Sequence, residues 1–284
     1  MTNIRGTLAF WPPHAGDIIS HPPRDYDMRL DPDGYAPDGL NQCEVEISDA
    51  RSDSSLKIET VGFQLFEQAS KVADFYDTAL VVDTYYPECK ALAKEITGAH
   101  HVFTYDHLIR EPGRQISGGG KDGSVNITTA EAGGGYVGAV HMDYTERTTW
   151  QDYLQVHGQK IPESSQIISL NFWRPLVEVI HDQPLAICDA SSVQPHDLFE
   201  TVVTGYGADS YSWHDIGIET YNVKYSPAHR WFYYSAMRNH EVLVFKSYDS
   251  RGVIGRACPH ASFSVSNQAA PPRRSIELRV LCFI

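Results

Sequence analysis

One short run of the chain, Val140-His141-Met142-Asp143-Tyr144, carries the residue types of a metal centre. In a strand, residues i and i+2 project to the same face, so His141 and Asp143 can set an imidazole nitrogen beside a carboxylate oxygen. These are two ligands of the 2-His-1-carboxylate facial triad, which holds non-haem Fe(II) and leaves positions open on the ion. A second histidine with suitable surroundings is His260, in Ala257-Cys258-Pro259-His260-Ala261-Ser262-Phe263, 117 residues after Asp143. A short polar turn then leads into Arg273-Arg274-Ser275-Ile276-Glu277-Leu278-Arg279. Arg273 and Ser275 are an i, i+2 pair, so a guanidinium and a hydroxyl can grip one carboxylate together. Arg279 shares that parity, while Arg274 points the other way. Singly, each feature has a plain structural explanation: a histidine hydrogen-bonded to an aspartate, or an edge strand with solvated arginines. Their order along the chain favours a site.

The elements that must position these residues are mostly strands. Alternating or β-branched apolar runs predict strands near 137–144, 165–173, 219–225, 230–236, 241–248 and 274–283. Residues 43–66 show strand-like alternation broken by a Ser/Asp turn. From Ala69 to about Ala99, Val72, Phe75, Tyr76 and Ala79 repeat at helical spacing, as do Leu92 and Ile96. Pro87 divides that helical region and Gly98 stands where a C-terminal cap would. Residues 1–42, rich in Pro, Asp and Gly, read as an irregular arm, and 111–138 as a Gly- and Ser-rich loop. With no internal repeat and no sharp break in composition, the expectation is a single domain over 1–284. Residues 1–135 would supply the arm, some strands and a helical layer, and 136–284 most of a β core carrying the metal site.

Other conspicuous residues invite weaker readings. Gly133, Gly135 and Gly138 satisfy G-x-G-x-x-G but run into a β-branched stretch instead of opening a helix, so a dinucleotide loop is not indicated. Gly120-Lys121 is followed by Asp122 where a phosphate loop needs Ser or Thr. Asn171, Trp173, Arg174 and Tyr144 are candidates for contact with substrate or for support of the metal ligands. Arg174 has two readings of equal weight, a grip on a substrate or cosubstrate carboxylate and a structural salt bridge to Asp189. His229 reads as a turn residue and not a fourth ligand, and Lys246 as a lysine reaching out from a barrel mouth. His100-His101 and His181-Asp182 read as surface loops.

Composition excludes several function classes. With 23 Lys+Arg against 36 Asp+Glu the formal charge is −13. That argues against a general nucleic-acid binder and against attachment to anionic membranes. Tyr 16, Phe 11 and Trp 5, with Gly 21 and Pro 16, lean toward strands and turns. No apolar run is long enough to span a bilayer, and the N-terminus has no signal-peptide core. The five cysteines, Cys43, Cys89, Cys188, Cys258 and Cys282, are scattered and never form CxxC, which suits free thiols in a reducing, cytoplasmic setting. Asn126-Ile127-Thr128 fits a glycosylation sequon, a chance match without a secretion signal. No G-x-S-x-G motif supports a hydrolase.

The motifs together resemble the fungal hydroxylase/desaturase family of Fe(II)/2-oxoglutarate-dependent oxygenases, with gibberellin desaturase, aspergillic-acid-type hydroxylases and 7α-cephem-methoxylase-like proteins among its members. The resemblance rests on Val140–Thr145, Asn171–Leu176, Pro184–Asp189, Tyr225–Tyr233, Glu241–Ser250, Pro259–Phe263 and Arg273–Arg279, with weaker agreement at Gly62–Leu65. It covers roughly the C-terminal half, and its motifs are specific as a set and modest singly.

The resemblance implies a mainly β fold with flanking helices around a double-stranded β-helix, or jelly roll, of cupin-like type. It implies iron on His141, Asp143 and His260, with 2-oxoglutarate on the last strand, at Arg273, Ser275 and Arg279. Three protein ligands leave three positions on the ion, two for 2-oxoglutarate and one for O2. The expected chemistry is decarboxylation to succinate coupled to removal of a hydrogen atom from a small secondary-metabolite or amino-acid-like substrate. Hydroxylation, desaturation or oxidative ring closure would follow. Asp143 fills the position that a halogenase leaves to halide. The other class compatible with the same fold is a cupin-like metal-dependent isomerase or a non-redox ligand-binding protein. The basic last strand is the feature that separates the two.

Overall fold

The computed structural model describes residues 3–13, 26–27, 39–111, 116–119, 125–127, 137–148, 150, 154, 160, 162, 166–204, 218–252, 256–265 and 270–284. The strands run in chain order as β1 (Asn3–Phe10), β2 (Tyr26–Asp27), β3 (Asn41–Asp49), β4 (Phe63–Glu67), β5 (His101–Arg110), β6 (Ile116–Gly119), β7 (Val125–Ile127) and β8 (His141–Met142). There follow β9 (Ile167–Pro175), β10 (Leu185–Cys188), β11 (Leu198–Thr204), β12 (Ile218–Val223), β13 (Trp231–Tyr233), β14 (Glu241–Asp249), β15 (His260–Ser262) and β16 (Ser275–Phe283). Between β4 and β5, α1 (Thr78–Leu80) passes through a π turn (Val81–Tyr85) into α2 (Tyr86–Thr97).

A nine-stranded sheet has the order β1-β3-β13-β10-β15-β8-β12-β11-β2, and a five-stranded sheet the order β4-β14-β9-β16-β5. The alternation along β16 shows how the layers stack. Ile276, Leu278, Val280 and Cys282 join Leu170, Phe172 and Val244 in a cluster closed by Val81, Tyr85, Cys89 and Ala93 of the helical segment. The alternate residues Ser275, Glu277 and Arg279 face the other sheet and are buried as well. The space between the sheets is apolar at one end, where Phe63, Trp173, Leu185, Ile187, Leu243 and Phe245 pack together. Polar side chains line the stretch between this end and a second apolar group, Tyr144, Trp150, Leu154, Ile167, Leu281 and Phe283. A further layer forms where β1 and β3 lay Leu8, Phe10, Val45 and Ile47 against Met142, Ala186, Cys188 and Phe263. The architecture is a double-stranded β-helix with a helical segment on one face, as the sequence motifs imply.

Several local expectations needed correction. The supposed irregular arm contains β1, an eight-residue strand paired in register with β3 from Asn3↔Ser48 to Phe10↔Asn41. Its Gly6 is required by close approach, because a Cβ there would lie 2.7 Å from Ile47 and 2.9 Å from Phe263. The helix begins at Thr78 instead of Ala69. Ser70 Oγ and the Lys71 N–H are drawn to the Glu88 carboxylate at 2.6 and 2.8 Å, so residues 69–77 form a non-helical approach with a turn just before Asp77. Asp77 caps the start by accepting from Ala79 and Leu80. Pro87, which has no N–H to give, sits in the first turn of α2 directly after the π turn. Gly98 ends the helix in the left-handed region at φ +69°.

Within the expected strand over 137–144 only His141–Met142 forms a ladder, and the expected loop over 111–138 contains the β6–β7 hairpin. His101 begins β5 instead of lying in a loop. The patterns at Gly120–Asp122 and at Gly133 and Gly135 lie outside the described residues, as does Thr128 of the sequon.

Candidate metal centre

Strand pairing sets His141 directly opposite His260. Antiparallel neighbours on one face come close enough for their side chains to touch, and the two imidazole centroids are 4.4 Å apart. Asp143 follows β8 immediately, in a bend, and its carboxylate turns back toward both rings. Asp143 Oδ1 lies 3.7 Å from His141 Nε2 and 4.0 Å from His260 Nε2. The three potential ligand atoms all fall within 4.8 Å of one another.

The far nitrogen of each ring determines what the near one offers. His141 Nδ1 donates to the Ala139 carbonyl at 2.8 Å, and His260 Nδ1 to the Cys258 carbonyl at 3.1 Å. A carbonyl only accepts, so both protons reside on Nδ1 and both Nε2 atoms present lone pairs. Two nitrogen lone pairs and a carboxylate oxygen aimed at one point repel each other unless a cation lies between them, and this donor set fits Fe(II). Burial, with His260 alongside, pushes the His141 imidazole down to about 4. Burial alone would raise the Asp143 carboxyl. Its neighbours His260, Arg279 and His141 and the Asn171 N–H outweigh it and hold that carboxyl below its usual range.

The five-stranded sheet supplies the opposite wall. Asn171 Nδ2 donates to Asp143 Oδ2 at 2.6 Å and to Glu277 Oε1 at 3.3 Å. Glu277 also meets Arg110 Nε at 3.3 Å and Arg279 Nε at 3.5 Å. Burial works against its charge, but these two arginines prevail and lower its pKa. The Phe245 ring lies 4.7 Å from that of His260 and shields it from water.

Arg273 occupies a second polar place between the sheets. Its Nη1 donates to the Gln183 carbonyl and, at 3.2 Å, to Ser262 Oγ. Its guanidinium carbon lies 5.4 Å from the centre of the Trp173 ring. Ser262 is two residues past His260 and on the same face, so this place adjoins the His141, Asp143 and His260 cluster. Ser275 Oγ is fully buried with no hydrogen-bond partner.

Comparison with known proteins agrees with this geometry. The oxidoreductase/YMDC permease-like domain family matches residues 18–283. The hydroxylase/desaturase efuI of Hormonema carpetanum is 35% identical over 256 residues, spanning 86% of this chain and 84% of that protein. The Fe(II)/2-oxoglutarate-dependent dioxygenase nvfI of Aspergillus novofumigatus is 29% identical, across 84% of this chain and 83% of its own. A solved structure of the iron and alpha-ketoglutarate-dependent endoperoxidase NvfI, in a different conformation, superposes with TM-score 0.74 at 25% identity, covering 100% of this chain and 98% of that one. The chain belongs to this oxidoreductase family, as an Fe(II)/2-oxoglutarate-dependent oxygenase of hydroxylase/desaturase type.

The oxygenase brings some of the sequence candidates together and sends others elsewhere. Asn171 is beside Asp143, and Trp173 lies under Arg273. Arg174 takes neither role envisaged for it. It is fully buried on the outer face of β9, donating to Gln68 O and Oε1 (both 2.6 Å), Asn239 O (2.8 Å) and Tyr85 Oη (3.2 Å). Asp189 pairs instead with Arg230 at 2.6 Å. Lys246 does not reach out to solvent. It is buried against Asp249 at 2.9 Å, because a second cation, Arg251, meets the same carboxylate and keeps it charged. His229 is buried, 3.0 Å from Asp197, and takes no part in the centre.

Tyr144 packs against Trp150 at 4.7 Å among Ile167, Leu281 and Phe283. It also borders a cavity of about 330 Å3 with Met142, Tyr221 and Arg256, none of the three ligands lining it. Met142 alternates to the other side of β8 from His141.

Sequence reasoning missed Arg110, Glu277 as a site residue, and Gln183. The signal for Glu277 was its parity with Arg273, Ser275 and Arg279. Gln183 has none in its neighbours. It adopts φ +47°, rare for a side-chain-bearing residue, and gives its carbonyl to Arg273 and its Oε1 to Ser262. Among the described residues no helix is long and apolar enough to cross a membrane.

Proposed function

We propose that His141, Asp143 and His260 hold Fe(II) through two Nε2 atoms and Asp143 Oδ1, and that Arg273 and Ser275 take the far carboxylate of 2-oxoglutarate. One observation carries the metal assignment: both imidazoles are locked by backbone carbonyls with Nε2 facing the same carboxylate oxygen. When bound, Fe(II) and 2-oxoglutarate supply an O2-dependent decarboxylation to succinate and CO2 that removes a hydrogen atom from a substrate C–H bond.

The chain's own residues bind, orient and exclude water. The two carbonyls hold each Nδ1 proton and so aim each Nε2 lone pair, Asn171 holds Asp143 in place, and Phe245 covers His260. A buried hydroxyl without a partner costs about 1–3 kcal/mol, and a carboxylate oxygen delivered to Ser275 would remove that cost. Arg273 is the better anchor of the two last-strand arginines on this side of the turn. Arg279 already faces the Glu277 carboxylate at 3.5 Å and contributes its charge beside Asp143.

The substrate class that fits is a small secondary metabolite or amino-acid-like molecule, with hydroxylation, desaturation and ring closure as alternative outcomes of one abstraction. Relatives named hydroxylase/desaturase and endoperoxidase support that range. The acidic chain working as one domain, with four of its five free thiols buried, suits the cytoplasm.

The deciding test is anaerobic addition of Fe(II) and 2-oxoglutarate, which should produce a weak visible charge-transfer band. His141→Ala and Asp143→Ala should each abolish succinate formation. Wild-type turnover in either variant would overturn the ligand assignment. Absence of the band under saturating conditions would favour a non-redox cupin-like role.

A further inference from the structure

Asn171 has no solvent exposure, and its amide nitrogen is shared between two carboxylates, Asp143 Oδ2 at 2.6 Å and Glu277 Oε1 at 3.3 Å. An amide that faces acceptors on two sides must turn its NH2 toward them. Its Oδ1, directed away, is buried with no hydrogen-bond partner. Leaving a carbonyl oxygen in that state is unfavourable, so the amide orientation has to be imposed from outside. Glu277 imposes it. Arg110 Nε, which can only donate, meets Glu277 Oε2 at 3.3 Å, and Arg279 Nε, likewise only a donor, stands 3.5 Å from Oε1, the oxygen that faces Asn171. Glu277 therefore acts as an acceptor in every direction, toward Asn171 as well.

We propose that Glu277 is a positioning residue for Asp143. Acting through Asn171, it keeps Asp143 Oδ2 hydrogen-bonded and turned from the ion, so that the carboxylate offers Fe(II) only Oδ1. The inference rests on the metal assignment above. A carboxylate bound through one oxygen fills one coordination position, whereas a two-oxygen grip would take a position that the cosubstrates need. The buried polar face of β16 thus serves both cosubstrate and metal, Arg273 and Ser275 the first and Glu277 and Arg279 the second.

The conservative substitution Glu277→Gln probes this directly. Glutamine has a single oxygen; with that oxygen held by the Arg110 N–H at the Oε2 place, its NH2 sits at the Oε1 place and meets Asn171. The Asn171 amide then has to turn its own oxygen toward that NH2, which places this oxygen against Asp143 Oδ2. The hydrogen bond to Asp143 becomes a repulsion. Asn171→Ala removes the same link without touching Glu277.

The experiment titrates Co(II), as a spectroscopic stand-in for Fe(II), into metal-free full-length protein. Wild type, Glu277→Gln, Asn171→Ala and the double variant are compared for Kd and visible spectrum. Each single variant should bind Co(II) about 10–100-fold more weakly, the usual effect of losing a group that orients a ligand. Each should also show weaker absorption bands as Asp143 adds its second oxygen. The double variant should be no weaker than the weaker single one, because both act along one path. Wild-type affinity and spectrum in Glu277→Gln, or losses that multiply in the double variant, would overturn the proposal alone. No Co(II) binding by the wild type would overturn the metal assignment and this inference with it. Should Glu277→Gln fail to fold, Glu277→Asp, which keeps the charge but retracts the oxygen from Asn171, takes its place with the same expectations.

Discussion

Replacing Arg273 by leucine should separate cosubstrate binding from metal binding. The guanidinium is 1% exposed, rests on Trp173 and donates to Gln183 and Ser262, so its direction is set before any ligand arrives. A carboxylate that meets it there forms a desolvated, charge-assisted pair. Removing one member of such a pair costs about 2–5 kcal/mol. The lower part of that range applies, because the hydroxyls of Ser262 and Ser275 remain and 2-oxoglutarate keeps its grip on the ion. A loss of about 3 kcal/mol corresponds to roughly a hundredfold weaker 2-oxoglutarate binding.

The assay is an anaerobic titration of the Fe(II) protein with 2-oxoglutarate, read from the visible charge-transfer band, with Co(II) affinity measured in parallel. Arg273→Leu should leave Co(II) affinity nearly unchanged. Arg273→Lys, with one charge but no planar fork, should recover part of the loss. Arg279→Leu should show the opposite pattern, weaker Co(II) binding with a smaller effect on 2-oxoglutarate, because it takes a cation from Glu277 and Asp143. If folded Arg273→Leu binds 2-oxoglutarate within threefold of wild type, or Arg279→Leu loses more of that affinity, the assignment of Arg273 is wrong.

Two further outcomes follow from the same geometry. His141 has a folded pKa of about 4 against an ordinary 6.5, so between those values the unfolded chain takes up a proton that the folded, metal-free protein refuses. Stability in a chelator should therefore fall as pH drops through that window, by up to about 3 kcal/mol, and level off below it. Urea unfolding from pH 7 to 4 measures this, and an unchanged slope in His141→Gln would refute it. Gly6→Ala should destabilise the fold by about 1–3 kcal/mol, since its Cβ would intrude on Ile47 and on the Phe263 ring. Thermal unfolding indistinguishable from wild type would mean that β1 does not pack as closely on the sheet as described.

The cluster of His141, Asp143 and His260, the proposed metal ligands, was legible because its geometry is local or periodic. His141 and Asp143 need only the two-residue repeat of an extended chain, and Asp143 satisfies it from a bend just past β8. Pairing with His260 required a topology, which the ordered motifs supplied. Arg110 was not legible. It reaches the site because β5 pairs with β16 across 167 residues, and the start of β5 read as a loop around His100-His101. Arg174 misled because a basic residue one position after Trp173 and three after Asn171 was read as a grip on a carboxylate or a partner of Asp189. Alternation places it on the opposite face of β9, toward the helical segment.

The same alternation explains why Glu277 was overlooked although its parity was visible. In a strand with one apolar and one polar face, the usual inference turns the polar face to water. On β16 that inference inverts. Ile276, Leu278, Val280 and Cys282 are covered by the helical segment, so the apolar stripe marks the outer contact and the polar stripe is the interior. No property of residues 273–279 alone reveals this, and it depends on what covers each face. The α2 helix, on the opposite face of the five-stranded sheet from the His-Asp-His cluster, thus contributes to function by occupying the apolar side of that sheet. It leaves Arg273, Ser275, Glu277 and Arg279 no place but the centre, where a buried polar face is tolerable only if its charges find partners. Glu277 and Asp143 supply two of those partners, and the cosubstrate carboxylate proposed for Arg273 and Ser275 would supply the next.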